Sequence, residues 1–340
     1  MTTTLPGLSQ ELLGGRLPAI GGTPLVPVRL RTGRCWHPVW LKLEQFNPGG
    51  SIKDRTAWSL IADLEARGEL RPGGTVVEST SGNLGVGLAL ACRERGYRLI
   101  AVVDQMASAR SVREMTDSGA VIDTVTPGPG EPLLACRLSR VAELLRADPD
   151  LVWTNQYASP ANPGVHREQT AAEICRQLGR PPGAVAVAVS TGGTLQGIAE
   201  HLRVRAPGCQ VIAVDTEGSV VLGGEPGPRH IPGIGSSRPS DFLGGRPYDH
   251  AAYVSEATAA ATCHALRDRT GIGVGGSSGA VLAAAARFLR GRGPGGPVVC
   301  VCADGADRYE DTVYDAGWLA RNEIAVTSAL PLPFDDIAPG

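Results

Sequence analysis

The chain has 340 residues, 19% of them charged, and a formal net charge of −2. This length predicts about two domains, and the near-neutral charge gives no electrostatic reason to expect a nucleic acid or a membrane as partner. No apolar run approaches the ~18 residues of a membrane span, and the first residues lack the basic and apolar regions of a signal peptide. We therefore predict a cytoplasmic protein that acts on small molecules.

Eight cysteines are scattered along the chain without the spacing of metal ligands. Several lie in apolar patterns, so we interpret them as reduced thiols and predict no metal site. Residues 35–37 (CWH) are interpreted as packing and surface residues rather than as haem ligands.

Short apolar runs alternate with helical patterns along the chain. The predicted strands are residues 39–44, 75–79, 97–104, 120–126, 151–153, 184–189, 209–215 and 298–303. The predicted helices are residues 54–68, 86–95, 108–118, 133–146, 163–178, 194–203, 256–270 and 280–290. This alternation indicates open, mostly parallel α/β sheets with ligands beyond the carboxyl ends of the strands. We expect residues 223–250, which are rich in Gly, Pro and Arg, to form a long loop over the site.

One loop is notable because it contains one of the only two lysines in the chain. Lys42 and Lys53 are the only lysines among 32 basic residues, and Lys53 lies in residues 47–55 (NPGGSIKDR), at the predicted start of a helix. An ammonium, unlike a guanidinium, can lose its proton and form a Schiff base, and the positive end of the helix dipole favours the deprotonated amine. Lys53 is therefore a candidate for chemistry, with a lysine that merely solvates a turn as the alternative.

Two loops between a predicted strand and a predicted helix are rich in Gly, Ser and Thr. Residues 190–194 (STGGT) can present consecutive backbone N–H groups to a phosphate, with a plain tight turn as the alternative. Residues 80–83 (TSGN) carry an amide and two hydroxyls that suit a carboxylate or a ring oxygen, or else a helix cap. Residues 271–276 fit G-x-G-x-x-G, but we reject a dinucleotide motif because no strand precedes them and no acidic residue follows at about 20 residues.

A lysine, a phosphate loop and a polar loop together meet the requirements of pyridoxal phosphate, which needs an amine, phosphate donors and groups that tune its ring. From Gly22 to about Asp311 the chain resembles the cysteine synthase and cystathionine β-synthase family of fold-type II pyridoxal-phosphate enzymes. The resemblance lies in residues 47–55, 80–83, 155–157, 160–163, 191–194 and 276–279.

The resemblance implies a homodimer and a fold like that of tryptophan synthase β. In this fold two open, twisted, mostly parallel sheet domains are flanked by helices, and the site lies in the cleft between them. We assign residues 1–44 and 155–325 to a larger cofactor-binding domain. We assign residues 45–154 to a smaller, mobile domain and residues 326–340 to a loose tail.

The resemblance also implies a role for each matching residue. Lys53 would bond the cofactor aldehyde and later remove the Cα proton of the substrate. Asn83 would contact the ring oxygen, Ser277 the ring nitrogen, and Ser190, Thr191, Gly192, Gly193 and Thr194 the phosphate. Thr80, Ser81 and Gln156 would bind the substrate α-carboxylate. The implied reaction is β-replacement on a serine derivative through an α-aminoacrylate.

Two residues differ from the typical cysteine synthase pattern and favour one branch of the family. Leu84 and Ser190 stand where cysteine synthases typically have Thr and Gly. Together with residues 46–50, 103–104 and 155–157, they make the chain more similar to a branch that serves 2,3-diaminopropionate biosynthesis. That branch joins O-phospho-L-serine to the amine of L-glutamate, giving N-(2-amino-2-carboxyethyl)-L-glutamate and phosphate.

In this interpretation Ser190 and Arg238 receive the substrate phosphate or the glutamate carboxylates, with a surface role for Arg238 as the alternative. Three other functions fit parts of the sequence. They are a cysteine synthase that uses O-acetylserine or O-phosphoserine with sulfide, a non-catalytic binding protein on the same fold, and a nucleotide-binding oxidoreductase.

Overall fold

The computed structural model describes residues 19–128, 130–291, 295–326 and 330–340. The strands are β1 (Leu25–Thr32), β2 (Cys35–Leu43), β3 (Thr75–Ser79), β4 (Arg98–Asp104), β5 (Val121–Val125), β6 (Leu151–Trp153), β7 (Ala184–Ala188), β8 (Gln210–Thr216), β9 (His250–Val254), β10 (Val298–Cys302) and β11 (Asp336–Pro339). The helices are α1 (Lys53–Ala66), α2 (Asn83–Arg95), α3 (Ala109–Asp117), α4 (Leu133–Ala147), α5 (Ala161–Val165), α6 (Ala171–Leu178), α7 (Gly193–Arg205), α8 (Glu256–Thr270), α9 (Gly276–Gly291) and α10 (Ala316–Arg321).

The larger sheet has the strand order β11-β1-β2-β10-β7-β8-β9. Its strands run parallel from β2 to β9, whereas β1 and β11 are antiparallel additions at one edge. Along β7, Ala184 and Ala186 pack with α8 and α9, while Val185 and Val187 pack with α6 and α7. Both faces are therefore covered by helices, which explains why the central strands are apolar throughout.

The smaller sheet has the order β5-β4-β3-β6 and is parallel throughout. Residues of α1, α2 and α3 pack on one face, and Val141 of α4 packs with β3 and β4 on the other. The predicted α/β fold with two mostly parallel sheets is thus confirmed. No helix in the described parts of the chain is long and apolar enough to cross a membrane.

The two sheets draw their strands from different parts of the sequence. The smaller sheet uses only strands between residues 75 and 153, and the strands of the larger sheet lie on either side of this segment. The division into a larger domain of residues 1–44 and 155–325 and a smaller, mobile domain of residues 45–154 stays a prediction. Residues 1–18 of the predicted larger domain lie outside the described residues.

The prediction of a loose tail over residues 326–340 is wrong for its last part. Asp336–Pro339 forms β11 and pairs with β1, and Phe334 and Ile337 are buried against the larger sheet. The apolar side chains make this edge strand favourable even though the segment is rich in proline, which edge strands tolerate. Residues 327–329 of the segment lie outside the described residues.

A second difference concerns residues 163–178, which were predicted as one regular helix. The structure has α5, then a π-helical turn over His166–Thr170, then α6. A Cβ at Gly197 of α7 would lie 2.0 Å from the carbonyl oxygen of Pro163. The backbone of this irregular helix therefore packs directly against α7.

Candidate active site

A cleft lies where four helices begin. Lys53, Asn83 and Gly193 are the first residues of α1, α2 and α7, and Ser277 is the second residue of α9. Helix N-termini present unpaired N–H groups and positive potential, so their convergence favours an anionic ligand. The cleft is lined by Ile52, Lys53, Asn83, Val187, Ala188, Ser190, Thr191, Gly192, Thr194, Gly233, Ser277, Val301, Ala303 and Asp304.

Lys53 lies in the wall of this cleft, as its predicted role requires. Burial lowers the pKa of Lys53, while the nearby Asp304 carboxylate acts in the opposite direction. A lowered pKa increases the fraction of free amine near neutral pH, which is the form that attacks a carbonyl or takes a proton.

The phosphate loop of residues 190–194 connects β7 to α7 and is tightly packed from behind. Gly192 has φ 94°, and a Cβ there would lie 2.3 Å from Ser240 Oγ. A Cβ at Gly193 would lie 2.2 Å from Asn162 Oδ1. Ser240 Oγ also donates to the carbonyl oxygen of Thr191 at 2.5 Å. Both glycines are therefore required by close approach, and the loop has a fixed shape.

His166 supports the same loop, which the sequence did not reveal. Its Nε2 lies 3.2 Å from both Thr194 Oγ1 and Thr56 Oγ1, and its Nδ1 lies 3.0 Å from Thr170 Oγ1. Burial, together with the positive charges of Lys53 and Arg55, lowers the pKa of His166 well below its usual value. A neutral imidazole thus joins α1, the π-helical turn and α7.

The anchor loop of residues 80–83 follows β3. Thr80 Oγ1 accepts from the N–H of Gly85 in the first turn of α2 at 2.9 Å, although the N-cap residue of this helix is Gly82. Asn83 Nδ2 donates to Asp304 Oδ2 at 2.6 Å. Ser81 accepts a hydrogen bond from Arg137. This loop therefore presents polar groups on the side of the smaller sheet.

Gln156 is buried next to the anchor loop. Its Nε2 donates to the carbonyl oxygen of Ser79 at 3.0 Å, and its backbone N–H donates to Glu78 Oε2 at 3.1 Å. Glu78 also accepts from Thr154 Oγ1 at 2.6 Å. The buried Glu78 carboxylate thus ties the segment that carries Gln156 to the end of β3.

Arg137 on α4 is another site residue that was not predicted. The chain is rich in arginine, and nothing in the sequence distinguishes Arg137 from the others. Its side chain is 12% exposed and lies 3.2 Å from Asp104 Oδ2 while it donates to Ser81. Within the described residues its Nε has no hydrogen-bond partner. A mostly buried positive charge therefore lies beside the loop that was predicted to bind a carboxylate.

A smaller cavity adjoins the cleft and shares Ser190 and Thr191 with it. Arg238 lies over the Tyr157 ring at 5.5 Å from its centroid and pairs with Asp241 at 2.9 Å. Its guanidinium is partly exposed, and its contact with a substrate anion stays a prediction beside the surface alternative. The other lining residues are Ser236, Pro239 and Ser240.

Most predicted site residues come together in the structure. Those in the cleft wall are Lys53, Asn83, Ser190, Thr191, Gly192, Thr194 and Ser277. Gly193 begins α7 beside them, Arg238 lines the adjoining cavity, and Thr80, Ser81 and Gln156 lie around the anchor loop. Asp304 also lines the cleft and was not predicted. The long loop supplies Gly233 to the cleft and ends at His250, where β9 begins.

The donor set of the cleft fits pyridoxal phosphate. Ser277 Oγ is buried and has no hydrogen-bond partner among the described residues, which leaves it free for a ring nitrogen. The packed glycine loop at the start of α7 offers backbone N–H groups to a phosphate. Lys53 is the amine that the aldehyde requires, and it lies in the same cleft.

Comparisons with known proteins agree with this fit. A protein from Ralstonia nicotianae named N-(2-amino-2-carboxyethyl)-L-glutamate synthase is 44% identical over 304 residues, 89% of this chain and 90% of its own length. A protein of the same name from Cupriavidus metallidurans is 40% identical over 321 residues, covering 92% of each chain.

Solved structures show the same fold. The O-acetylserine dependent cystathionine β-synthase of Helicobacter pylori has a TM-score of 0.80 and 31% identity, covering 86% of this chain and 96% of its own. An O-ureido-L-serine synthase has a TM-score of 0.79 and 33% identity, covering 88% of this chain and 97% of its own. Residues 16–304 match the family described as pyridoxal-phosphate dependent enzyme, and the chain therefore belongs to that family.

Proposed function

We propose that this enzyme catalyses β-replacement on O-phospho-L-serine with the amine of L-glutamate, giving N-(2-amino-2-carboxyethyl)-L-glutamate and phosphate for 2,3-diaminopropionate biosynthesis. The names of the two relatives that are at least 40% identical support the product. The main reason to propose two anionic substrates is that two arginines lie around the cleft. Arg137 lies at Ser81 and Arg238 lies at the cavity shared with Ser190. Two anionic substrates need such cations, whereas sulfide does not.

Lys53 has two tasks in this reaction. Its amine would hold the cofactor aldehyde and, once displaced by the substrate amine, would take the proton from the substrate Cα. The bound cofactor supplies an electron sink that makes this proton acidic and lets the leaving group depart from Cβ. Burial of Lys53, which lowers its pKa, supports both tasks because each needs the free amine.

The remaining cofactor contacts follow from the cleft wall. The loop Ser190, Thr191, Gly192, Gly193 and Thr194 would hold the phosphate, and Asn83 would hold the ring oxygen. Ser277 would meet the ring nitrogen with a neutral hydroxyl. A neutral group does not enforce protonation of that nitrogen, which favours elimination from Cβ over deeper carbanion chemistry.

The substrate contacts lie on the side of the smaller sheet. Thr80, Ser81 and Gln156 would bind the α-carboxylate of the first substrate. Ser190 and Arg238 would receive the phosphate of that substrate or the carboxylates of glutamate. The position of Ser190, which lines both the cleft and the smaller cavity that Arg238 borders, supports this assignment.

We further propose that residues 45–154 move as a smaller domain against the rest of the chain, and that the enzyme is a cytoplasmic homodimer. The separate sheets support the first proposal. The eight free cysteines fit a reducing compartment.

Product analysis tests the proposed function. The loaded enzyme is incubated with O-phosphoserine and nitrogen-labelled glutamate, and separately with sulfide, and the products are identified by mass spectrometry. We expect label in N-(2-amino-2-carboxyethyl)-L-glutamate together with stoichiometric phosphate release. Cysteine as the main product from O-phosphoserine or O-acetylserine would identify a cysteine synthase, and no turnover with any pair would identify a binding protein.

A further inference from the structure

Asp304 is a buried carboxylate in the wall of the cleft. It follows β10 and its residue is 1% exposed. Its Oδ2 accepts from Asn83 Nδ2 at 2.6 Å and from the Tyr309 hydroxyl at 2.5 Å. Both donors are neutral. Burial raises the pKa of Asp304, while the hydrogen bonds from Tyr309 and Asn83 and the charge of Arg308 act in the opposite direction. Burial of an acidic group is costly, so its presence beside Lys53 and Asn83 requires an explanation.

The orientation of the Asn83 amide determines whether an N–H donor or the carbonyl oxygen faces the ring oxygen of the cofactor. A side-chain amide has two N–H donors and one carbonyl acceptor, and half a turn about its last bond exchanges them. With Nδ2 held 2.6 Å from Asp304 Oδ2, this rotation would bring the amide oxygen against the carboxylate. The carboxylate therefore fixes one orientation and leaves the second N–H of Asn83 available.

We propose that Asp304 is a positioning residue that holds the Asn83 amide with an N–H directed at the ring oxygen of pyridoxal phosphate. Tyr309 holds the carboxylate in turn, because its hydroxyl binds the same Oδ2. The inference rests on the proposed contact between Asn83 and the cofactor. It adds a residue that acts through Asn83 rather than on the substrate.

The backbone of Asp304 has a separate structural role, which the side chain does not share. It pairs with Ser51 in an isolated bridge, and its carbonyl oxygen accepts from the N–H of Gly275 at 3.1 Å. A side-chain substitution leaves these backbone contacts in place. Loss of the carboxylate can therefore be tested separately from loss of the local fold.

The test compares pyridoxal phosphate with its analogue that lacks the ring hydroxyl. Dissociation constants of both are measured by equilibrium dialysis against the apoenzyme, and the visible spectra of the bound forms are recorded. The variants are Asn83→Ala, Asp304→Ala and Asp304→Asn. Asp307→Ala is the matched control, because Asp307 lies three residues further on with a largely exposed side chain and outside the cleft wall.

We expect the unchanged enzyme to prefer pyridoxal phosphate over the analogue by about tenfold, the worth of one good hydrogen bond. Asn83→Ala and Asp304→Ala should both reduce this preference to about twofold or less. Asp304→Asn should restore part of it, because an amide oxygen can still accept from Nδ2. Asp307→Ala should keep the full preference and the same visible spectrum.

Three results would overturn the inference. If Asp304→Ala weakens both ligands equally and keeps the preference, the carboxylate has only a structural role. If Asp304→Ala does not fold, the variants Asp304→Asn and Tyr309→Phe are measured instead. The proposal is rejected if both keep the full preference for pyridoxal phosphate over the analogue. If Asn83→Ala keeps the preference, the contact between Asn83 and the cofactor fails whatever reaction the enzyme catalyses, because no substrate is present in this assay.

Discussion

Arg55 and Glu173 form a buried ion pair in which two guanidinium nitrogens each lie 2.8 Å from a different carboxylate oxygen. Arg55 also donates to Glu44 at 2.7 Å, and Lys42 Nζ lies 2.7 Å from Glu173. The pair joins α1 to α6 only two residues after Lys53. The charged network therefore fixes the start of the helix that begins with Lys53.

Glu173→Gln should lower the free energy of unfolding by about 3 kcal/mol. The substitution removes the negative charge of a buried pair, so Arg55 and Lys42 lose the carboxylate that neutralises them there. Urea denaturation of the apoenzyme measures this change. Glu168→Gln is the control, since Glu168 is exposed one turn earlier. A loss no larger than that of the control would show that the network does not stabilise the fold.

The same pair predicts acid sensitivity. Burial alone would raise the pKa of Glu173, but hydrogen bonds from Arg55 and Lys42 lower it to about 2. A depressed pKa contributes stability above the unfolded value of about 4.3, and this contribution is lost as pH falls from there towards 2. In urea denaturation at a series of pH values, Glu173→Gln should lose less stability over this range than the unchanged protein. Equal losses would contradict the low pKa.

Lys53→Ala should abolish the visible absorbance of lysine-bound cofactor and reduce turnover by at least about 100-fold, as expected for loss of a general base. Lys42→Met is a matched control because Lys42 is the other lysine of the chain. It should keep the visible band, although the loss of its bond to Glu173 lowers stability. A visible band that persists in Lys53→Ala and disappears in Lys42→Met would reverse the assignment.

Gly192→Ala should weaken cofactor binding by about tenfold, since the left-handed backbone and the contact with Ser240 both oppose a methyl group. Titration of the apoenzyme with pyridoxal phosphate measures the effect. Gly208→Ala is the control, because a Cβ there meets no atom of the described residues within 4 Å. Equal affinities in the two variants would show that the loop does not hold the phosphate.

Arg238→Ala should raise the KM of one anionic substrate by about tenfold with kcat nearly unchanged, because Arg238 acts on binding rather than on proton transfer. Initial rates at varied O-phosphoserine and varied glutamate identify which substrate it serves. Arg203→Ala removes a partly exposed arginine at the end of α7 and should leave both KM values unchanged. If Arg238→Ala behaves in the same way, Arg238 is a surface residue.

The residues that could be predicted from the sequence belong to short local motifs. Lys53, Asn83 and residues 190–194 each lie where a strand or loop meets a helix, and that position is readable from neighbouring residues alone. The helix Glu256–Thr270 was predicted at its observed ends, since Ser255 caps it and Gly271 ends it.

The residues that could not be predicted depend on contacts between distant parts of the chain. Asp304 binds Asn83 across 221 positions, and Arg137 binds Ser81 across 56 positions. The strand β11 exists because its apolar side chains reach the larger sheet, more than 300 positions from β1. Local patterns carry no signal for such pairs.

The loop of residues 236–243 lines the smaller cavity and packs behind Thr191, a residue of the cleft wall. Ser240 binds the carbonyl oxygen of Thr191 behind the phosphate loop, and Arg238, two residues earlier, stacks on Tyr157 in the smaller cavity. A ligand that shifts this loop at one cavity would therefore also affect the wall of the other. By thermodynamic linkage the effect is reciprocal: the cofactor should change the affinity for an anion in the smaller cavity by the same factor by which that anion changes the affinity for the cofactor.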